Sequence, residues 1–437
     1  MTSKGTVALI GNMNNMLFQQ QRYYDDWGYD TTLFLFEEHA HFLPNADVFF
    51  DPYKKYKIVN LGWNIESFES IKKKYIYNLF SGFDILIGTD LAPAYLYKAG
   101  LKLDIFCLHG NDVYEFPFFR FKKNVPSLWE INRCYFSICQ FEGLKLANYL
   151  ALNKAAELYE KPIAIIRKKD KRMASIPYLY LPQFTKEYFE QSELIPQIKK
   201  LKDKFSFLIL HHCSHNWYSQ KNTFVYKGND RLIQGFAEYF HKSTAVKKAC
   251  LILLEYGPDV DRSKAMINEL GITENVFWLP VQTRKNLISA INLCDIGVGE
   301  LGLQGWLLYS VIVEFITMGK PVIHYRNSQM YANDFTDLYP MIDTNDSAIV
   351  AQTFIDYELN PDKYLQIGKA ANNWYLKNIH NVSLNSFAEK IQESRSFNKK
   401  ITVIDNLFHS NKIELIKVFY WKMYNILSIK LKLKNAA

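Results

Sequence analysis

Apolar residues in this chain fall into short β-rich runs separated by longer stretches with helical spacing, and the alternation persists along almost the whole length. The first run, Thr6–Gly11, leads through an asparagine-rich loop to a helical segment over 17–27 that Gly28 stops, and a second run follows at 31–36. Strands are predicted at 85–88, 104–108, 163–166 and 178–181, with helical segments between them. Pro182 and the polar stretch to about Lys204 read as a linker. Beyond it, 205–212 has the continuous apolar character of a buried strand, and runs at 250–255 and 276–280 alternate with helices over 231–240, 263–270 and 284–293. Within 295–325 an apolar run, a loop, a helix stopped at Gly319-Lys320-Pro321 and a final apolar run make a strand–helix–strand crossover. Helical segments at 346–358, 361–378 and 384–394 follow. This β-α-β alternation predicts an α/β chain with two doubly wound parallel sheets, whose ligands bind where strands end and helices begin. The expected ranges are 1–185 and 200–395, with a tail over 396–437.

The length of 437 residues agrees with two domains, and 49% apolar with 22% charged residues is ordinary for a soluble globular protein. Six cysteines lie mostly inside apolar runs without a C-x-x-C pair, which points to reduced core residues in a cytoplasmic protein and to no zinc framework. The apolar part of the first eleven residues is too short for a signal peptide, and no apolar run reaches the ~20 residues that cross a bilayer. GxGxxG is absent after the first strand, which argues against a dinucleotide site there. A net charge of +8, concentrated at 167–172 and in the last thirty residues, gives no reason to expect nucleic acid as a partner. His211, His212 and His215 crowd together, but neighbouring residues of a strand point to opposite faces and no carboxylate or cysteine completes a metal spacing.

Glu314, followed by four residues and Gly319-Lys320-Pro321-Val322, resembles the second half of the E-x(7)-E element of retaining glycosyltransferases with the GT-B fold. The resemblance implies two Rossmann-like domains facing a cleft, an N-terminal acceptor domain and a C-terminal nucleotide-sugar domain. It implies that Glu314 accepts hydrogen bonds from the ribose hydroxyls while the helix start faces the diphosphate. The first glutamate of the element is replaced by Trp306, and Gly305-Trp306 is similar to a subgroup with a Gly-Trp turn whose backbone amides hold the sugar. His109-Gly110-Asn111-Asp112 resembles the His-Gly-x-Asp element, whose histidine approaches donor sugar and acceptor; a local capping role for Asp112 is the alternative. Lys227-Gly228 is similar to the Lys-Gly pair whose ammonium meets the diphosphate. The arginine that usually accompanies it is missing, so His215 or Lys221 is expected as a substitute. By the same resemblance Val281 lies in a loop that contacts the base, and Asn12 and Asn14 border the acceptor with Asp112; by residue type, Asn229 or Asp230 is expected to cap the helix after Gly228.

What the resemblance implies is retaining, metal-independent sugar transfer, without a cofactor, in bacterial surface polysaccharide synthesis. The donor is a nucleotide sugar, a UDP-sugar ahead of a GDP-sugar, and the acceptor a glycan or a polyprenyl-linked sugar. A sugar-nucleotide epimerase and a catalytically silent binding module of the same fold stand as alternatives. The tail from Asn411 to Lys434 interleaves six lysines and one glutamate with aromatic residues. It is read either as an anchor on the anionic inner leaflet or as a segment that packs back on the first domain.

Overall fold

The computed structural model describes residues 3–36, 43–121, 125–152, 157–166, 172–174, 178–219, 223, 225–332, 334–401 and 412–434. The chain forms two compact units, one of residues 1–45, 51–180 and 382–437, the other of 46–50 and 181–381.

The first unit holds seven parallel strands: β1 (Thr6–Ile10), β2 (Asp30–Leu35), β3 (Ile58–Asn60), β4 (Ile85–Gly88), β5 (Ile105–Cys107), β6 (Tyr149–Ala151) and β7 (Arg172–Met173). Their spatial order is β3-β2-β1-β4-β5-β6-β7. The second holds β8 (Leu208–His211), β9 (Cys250–Leu254), β10 (Val276–Leu279), β11 (Ile296–Val298), β12 (Val322–His324) and β13 (Ile342–Asp343), in the order β10-β9-β8-β11-β12-β13. Both sheets run outward from their first strand in both directions, so each has a switch point, between β1 and β4 and between β8 and β11. Apart from Thr6 at the start of β1, the central strands β1, β4, β8 and β11 are buried along their whole length, as a parallel sheet covered on both faces requires. Ala8, Leu86 and Phe106 anchor one core and Ile209, Leu251 and Val298 the other. All six cysteines are free and buried.

Several expectations are corrected here. Residues 163–166 are the end of the helix Glu157–Ile166, not a strand. Ile163 and Ile166, three apart, are buried while Ile165 is exposed, and a strand would have put 163 and 165 on one face. Residues 178–181 pair with no strand; Leu179 offers its carbonyl to Tyr23 and the Tyr180 ring covers Arg22, so side chains fix this segment. The expected linker carries the helices Lys186–Glu190 and Ile195–Lys204, with Ile195 and Ile198 buried in the second unit. Residues 382–395 belong with the first unit, not the second.

The tail forms the helix Lys412–Lys434, whose Val418, with Leu415 and Trp421, packs on Ile131, Cys134 and Ile138 of the helix Leu128–Leu146. Lys422 pairs with Glu69 at 2.8 Å and covers the Tyr135 ring. Among the described residues no helix is long and apolar enough to cross a membrane.

Candidate active site

In the second unit the predicted chemistry gathers at the β8–β11 switch point. The loop after β8 returns at Lys227-Gly228 to start the helix Asn229–Lys242. Gly228 has φ +72°, and a Cβ there would lie 2.5 Å from the Leu301 carbonyl oxygen, so this turn requires glycine. The turn brings Lys227 Nζ to 2.5 Å from Oε1 of Glu300, the residue two past the end of β11. Glu300 N donates to the Tyr309 hydroxyl at 2.5 Å, and Tyr309 is the residue before the helix Ser310–Thr317. No side chain caps that helix start. A lysine and a helix N-terminus with unused amides, both of which favour an anion, therefore share one corner with the Glu300 carboxylate that pairs with the lysine.

Glu314 lies one turn inside this helix and is 5% exposed. Its Oε1 accepts from Arg284 Nε at 3.1 Å, and its Oε2 is 3.4 Å from His212 Nε2. Arg284 Nη1 also reaches Asp47 Oδ2 at 3.4 Å. Asp47 is part of the short segment 46–50, which Lys285 and Tyr188 hold through the carbonyls of Val48 and Asp47. Burial pushes the Glu314 carboxyl above its usual range, and the adjacent guanidinium opposes that. His212 is kept neutral by burial, its pKa lowered to about 4. A carboxylate offers about four lone-pair positions, so Oε2 can still accept from a hydroxyl.

His215 does not have the character of a phosphate-charge substitute. It is fully buried, its Nδ1 bonds Ser263 Oγ at 2.8 Å, its ring packs on Trp278, and burial lowers its pKa to about 3. Lys221 lies outside the described residues. Asn229 and Asp230 are not the helix cap, because Gly228 holds that position. The Asn229 amide instead bonds His211 Nε2 at 2.9 Å, while His211 Nδ1 meets the Val298 carbonyl at 2.9 Å. The three histidines thus have separate partners, and among the described residues no group of three potential ligands is placed to hold a metal.

Val281 is 44% exposed, and Trp306 is half-buried. Gly305, at φ +65°, accepts from Asn327 N at 3.0 Å, and a Cβ on it would lie 2.4 Å from that same nitrogen. The next residues are held from below, Leu307 N by the Tyr331 hydroxyl and its carbonyl by Tyr339.

In the first unit His109 follows β5, with Nε2 buried and without a hydrogen-bond partner, and burial lowers its pKa to about 4. Asp112, expected to border the acceptor, lies in the first turn of the helix Asn111–Tyr114 and holds the turn before it. It is buried and accepts from the amides of His109 at 3.1 Å and Gly110 at 2.7 Å. Burial, with Asp90 nearby, raises its pKa to about 7. Asn12 accepts from Phe18 N and also lines a cavity of about 260 Å³ together with Trp63, Glu66 and Asp90. Asn14 and Asn15 have φ of +53° and +56°, so asparagines supply the left-handed turn that glycines would otherwise make.

Sequence reasoning missed Glu300, Tyr309, Arg284 and Asp47. Glu300 carried a signal, since it ends the run Asp-Ile-Gly-Val-Gly at the carboxyl edge of a predicted parallel strand. Arg284 and Asp47 carried none, being 237 positions apart.

No protein-family profile matches the sequence, and no curated protein does. Solved structures do. The chain is similar over 89% of its length to the whole of HepE from Anabaena in complex with UDP-glucose, at 12% identity and a TM-score of 0.58. A glycosyltransferase from Rickettsia africae matches 91% of the chain over its full length, at 16% identity and a TM-score of 0.57. Sucrose-phosphate synthase from Thermosynechococcus elongatus matches 89% of the chain over 99% of its own, at 12% identity and 0.57. These likenesses define the fold: two doubly wound parallel sheets of seven and six strands, the α/β fold of GT-B glycosyltransferases.

Proposed function

We propose that this protein is a retaining glycosyltransferase that moves a sugar from a nucleotide sugar, a UDP-sugar ahead of a GDP-sugar, to a glycan or lipid-linked acceptor in bacterial surface polysaccharide synthesis. The observation that carries the reading is the corner formed by Lys227, Glu300 and the uncapped helix Ser310–Thr317, with Glu314 one turn inside. In this reading the diphosphate competes with Glu300 for the Lys227 ammonium and lies against the helix start, while Glu314 Oε2 accepts from the ribose. The bond between the anomeric carbon and the β-phosphate oxygen breaks, and its electron pair stays on the diphosphate, where Lys227 and the helix amides oppose the growing charge. The acceptor oxygen bonds the same carbon on the same face, and its proton passes to the leaving phosphate. No metal and no protein base is assigned to the step.

UDP release from UDP-glucose and related donors, measured with and without a glycan or lipid-linked acceptor, tests this. Release that depends on the acceptor is expected; acceptor-independent release, or conversion of the donor to its epimer, favours an epimerase, and neither release nor conversion with any donor favours a silent module. Glu314→Gln is expected to weaken UDP by about 10- to 150-fold, the loss of a charge-assisted bond worth roughly 1.5–3 kcal/mol. An unchanged dissociation constant in calorimetry would remove Glu314 from the site. His109→Ala is expected to lower turnover far more than donor affinity, and wild-type turnover would end its assignment.

A further inference from the structure

The helix Lys412–Lys434 has two apolar faces. One is the row Leu415, Val418 and Trp421, used up against the helix Leu128–Leu146. The other carries Ile413, Ile416, Tyr420, Met423, Tyr424 and Leu427, each between 48% and 70% exposed. Phe419 and Ile426 flank it and are about half exposed as well. At the helical spacing of 100° per residue this outward face spans about 160° without a charged residue from Ile413 to Leu427, bounded on one side by Lys417, while Lys412, Lys430 and Lys434 fall on the same arc at the two ends of the helix. Six lysines stand against one glutamate in the helix, three of the six, Lys430, Lys432 and Lys434, in its last turn and a half.

We infer that this face is a docking surface for an anionic lipid bilayer, with the helix lying in the plane of the interface. The inference goes beyond the transfer reaction and does not depend on it. The breadth of the face decides against a second copy paired as a coiled coil, which needs a narrow seam flanked by charged positions. Here only one flank is charged, at Lys417, and the other is Phe419 and Ile426. Self-pairing about a two-fold axis would also bring the lysine-rich helix against its own copy, like charge against like. A bilayer takes a wide face, seats tyrosine rings at head-group depth, and attracts lysines when its lipids are anionic. No helix needs to cross it.

The test is co-sedimentation of the full chain with phosphatidylglycerol vesicles and with phosphatidylcholine vesicles at low and high salt. Beside it runs a variant with Ile416→Ser, Tyr420→Ser, Met423→Ser and Leu427→Ser. All four positions face outward, so the variant is expected to keep the wild-type melting temperature. Wild type is expected to pellet with phosphatidylglycerol at least tenfold better than with phosphatidylcholine, less so at high salt, and the variant to lose at least tenfold in partition. Wild type left in the supernatant with both lipids overturns the inference, as does a variant that pellets like wild type. A wild-type dimer in analytical ultracentrifugation that the variant dissolves overturns it in favour of a second copy. Because binding is read without any sugar donor, failure here is distinct from failure of the transfer reading.

Discussion

Arg284→Met is expected to lower the stability of the second unit by about 3–5 kcal/mol, the range for removing one partner from a buried ion pair. The guanidinium sits between Asp47, whose side chain is fully buried, and Glu314, which is nearly so. Methionine keeps most of the volume and removes the guanidinium that both buried carboxyl groups contact. One of them must then take a proton or draw in water. The segment 46–50 would lose the guanidinium tether at Asp47 while Lys285 and Tyr188 still hold the carbonyls of Val48 and Asp47. Urea unfolding followed by tryptophan fluorescence measures the loss. Lys54→Met, which removes the exposed pair Lys54–Asp51 at 3.6 Å, is the control and is expected to change stability by less than about 1 kcal/mol. Arg284→Lys is expected to recover only part, since one ammonium cannot repeat the two directed contacts of the guanidinium. A loss below 1 kcal/mol for Arg284→Met would show that the cation does not hold this cluster together.

Acid is expected to unfold the second unit well before its exposed carboxylates titrate. His211 and His212 have pKa values lowered to about 4, and His215 and His324 to about 3, in each case chiefly by burial. In the unfolded chain the same rings take protons near pH 6.5. Between about pH 6.5 and 4 the unfolded state therefore binds more protons than the folded one, and stability falls as pH falls, by up to roughly 1.4 kcal/mol per pH unit for each ring. His380 of the same unit, lowered to about 4, adds a fifth such ring; Glu314 acts in the opposite sense, because its raised pKa lets the folded form take a proton first, but it is one group against five. Melting temperature measured from pH 7.5 down to 4.5 should be flat at first and then drop steeply below about pH 6.5. A flat profile across the whole range would mean that these rings are not held neutral.

Much of the fold was legible because most strands are uninterrupted apolar runs with glycine or proline beside them. The strand Ile85–Gly88 and the helix Arg284–Leu293 fall where the pattern puts them. The strands that escaped notice are two or three residues long or lie at an edge. Ile58–Asn60 leaves Val59 and Asn60 exposed, so hydrophobicity had nothing to register. The isoleucine-rich run before Ile166 misled because β-branched residues can bury a helical face when a neighbouring core demands it. At the tail, apolar residues on both sides of one helix blur the single stripe that an amphipathic pattern shows, and only the packed structure separates the two faces. The site was legible in part. Lys227-Gly228 and Glu314 stood out by local spacing, whereas the meaning of Glu314 changes once Arg284 and Asp47, brought in from distant positions, are seen on it.

The interleaving of the two units sets an order of events during synthesis. The first 180 residues make all seven strands of the N-terminal sheet, yet Phe387 against Tyr24, Glu393 bonded to the Tyr149 hydroxyl and Phe397 against Tyr149 come from the far end of the chain. Leu181–Asn381 must be translated in between, a delay on the order of 10–40 s at 5–20 residues per second. Through that interval the nascent N-terminal half carries an unfinished apolar surface, while Asp47, already made, waits for an arginine not yet translated. The protein is thus a poor candidate for vectorial, unit-by-unit folding. Its halves close late and nearly together, and a ribosome stalled within 181–381 would present chaperones with a sheet whose strands are all made but whose C-terminal packing is still missing.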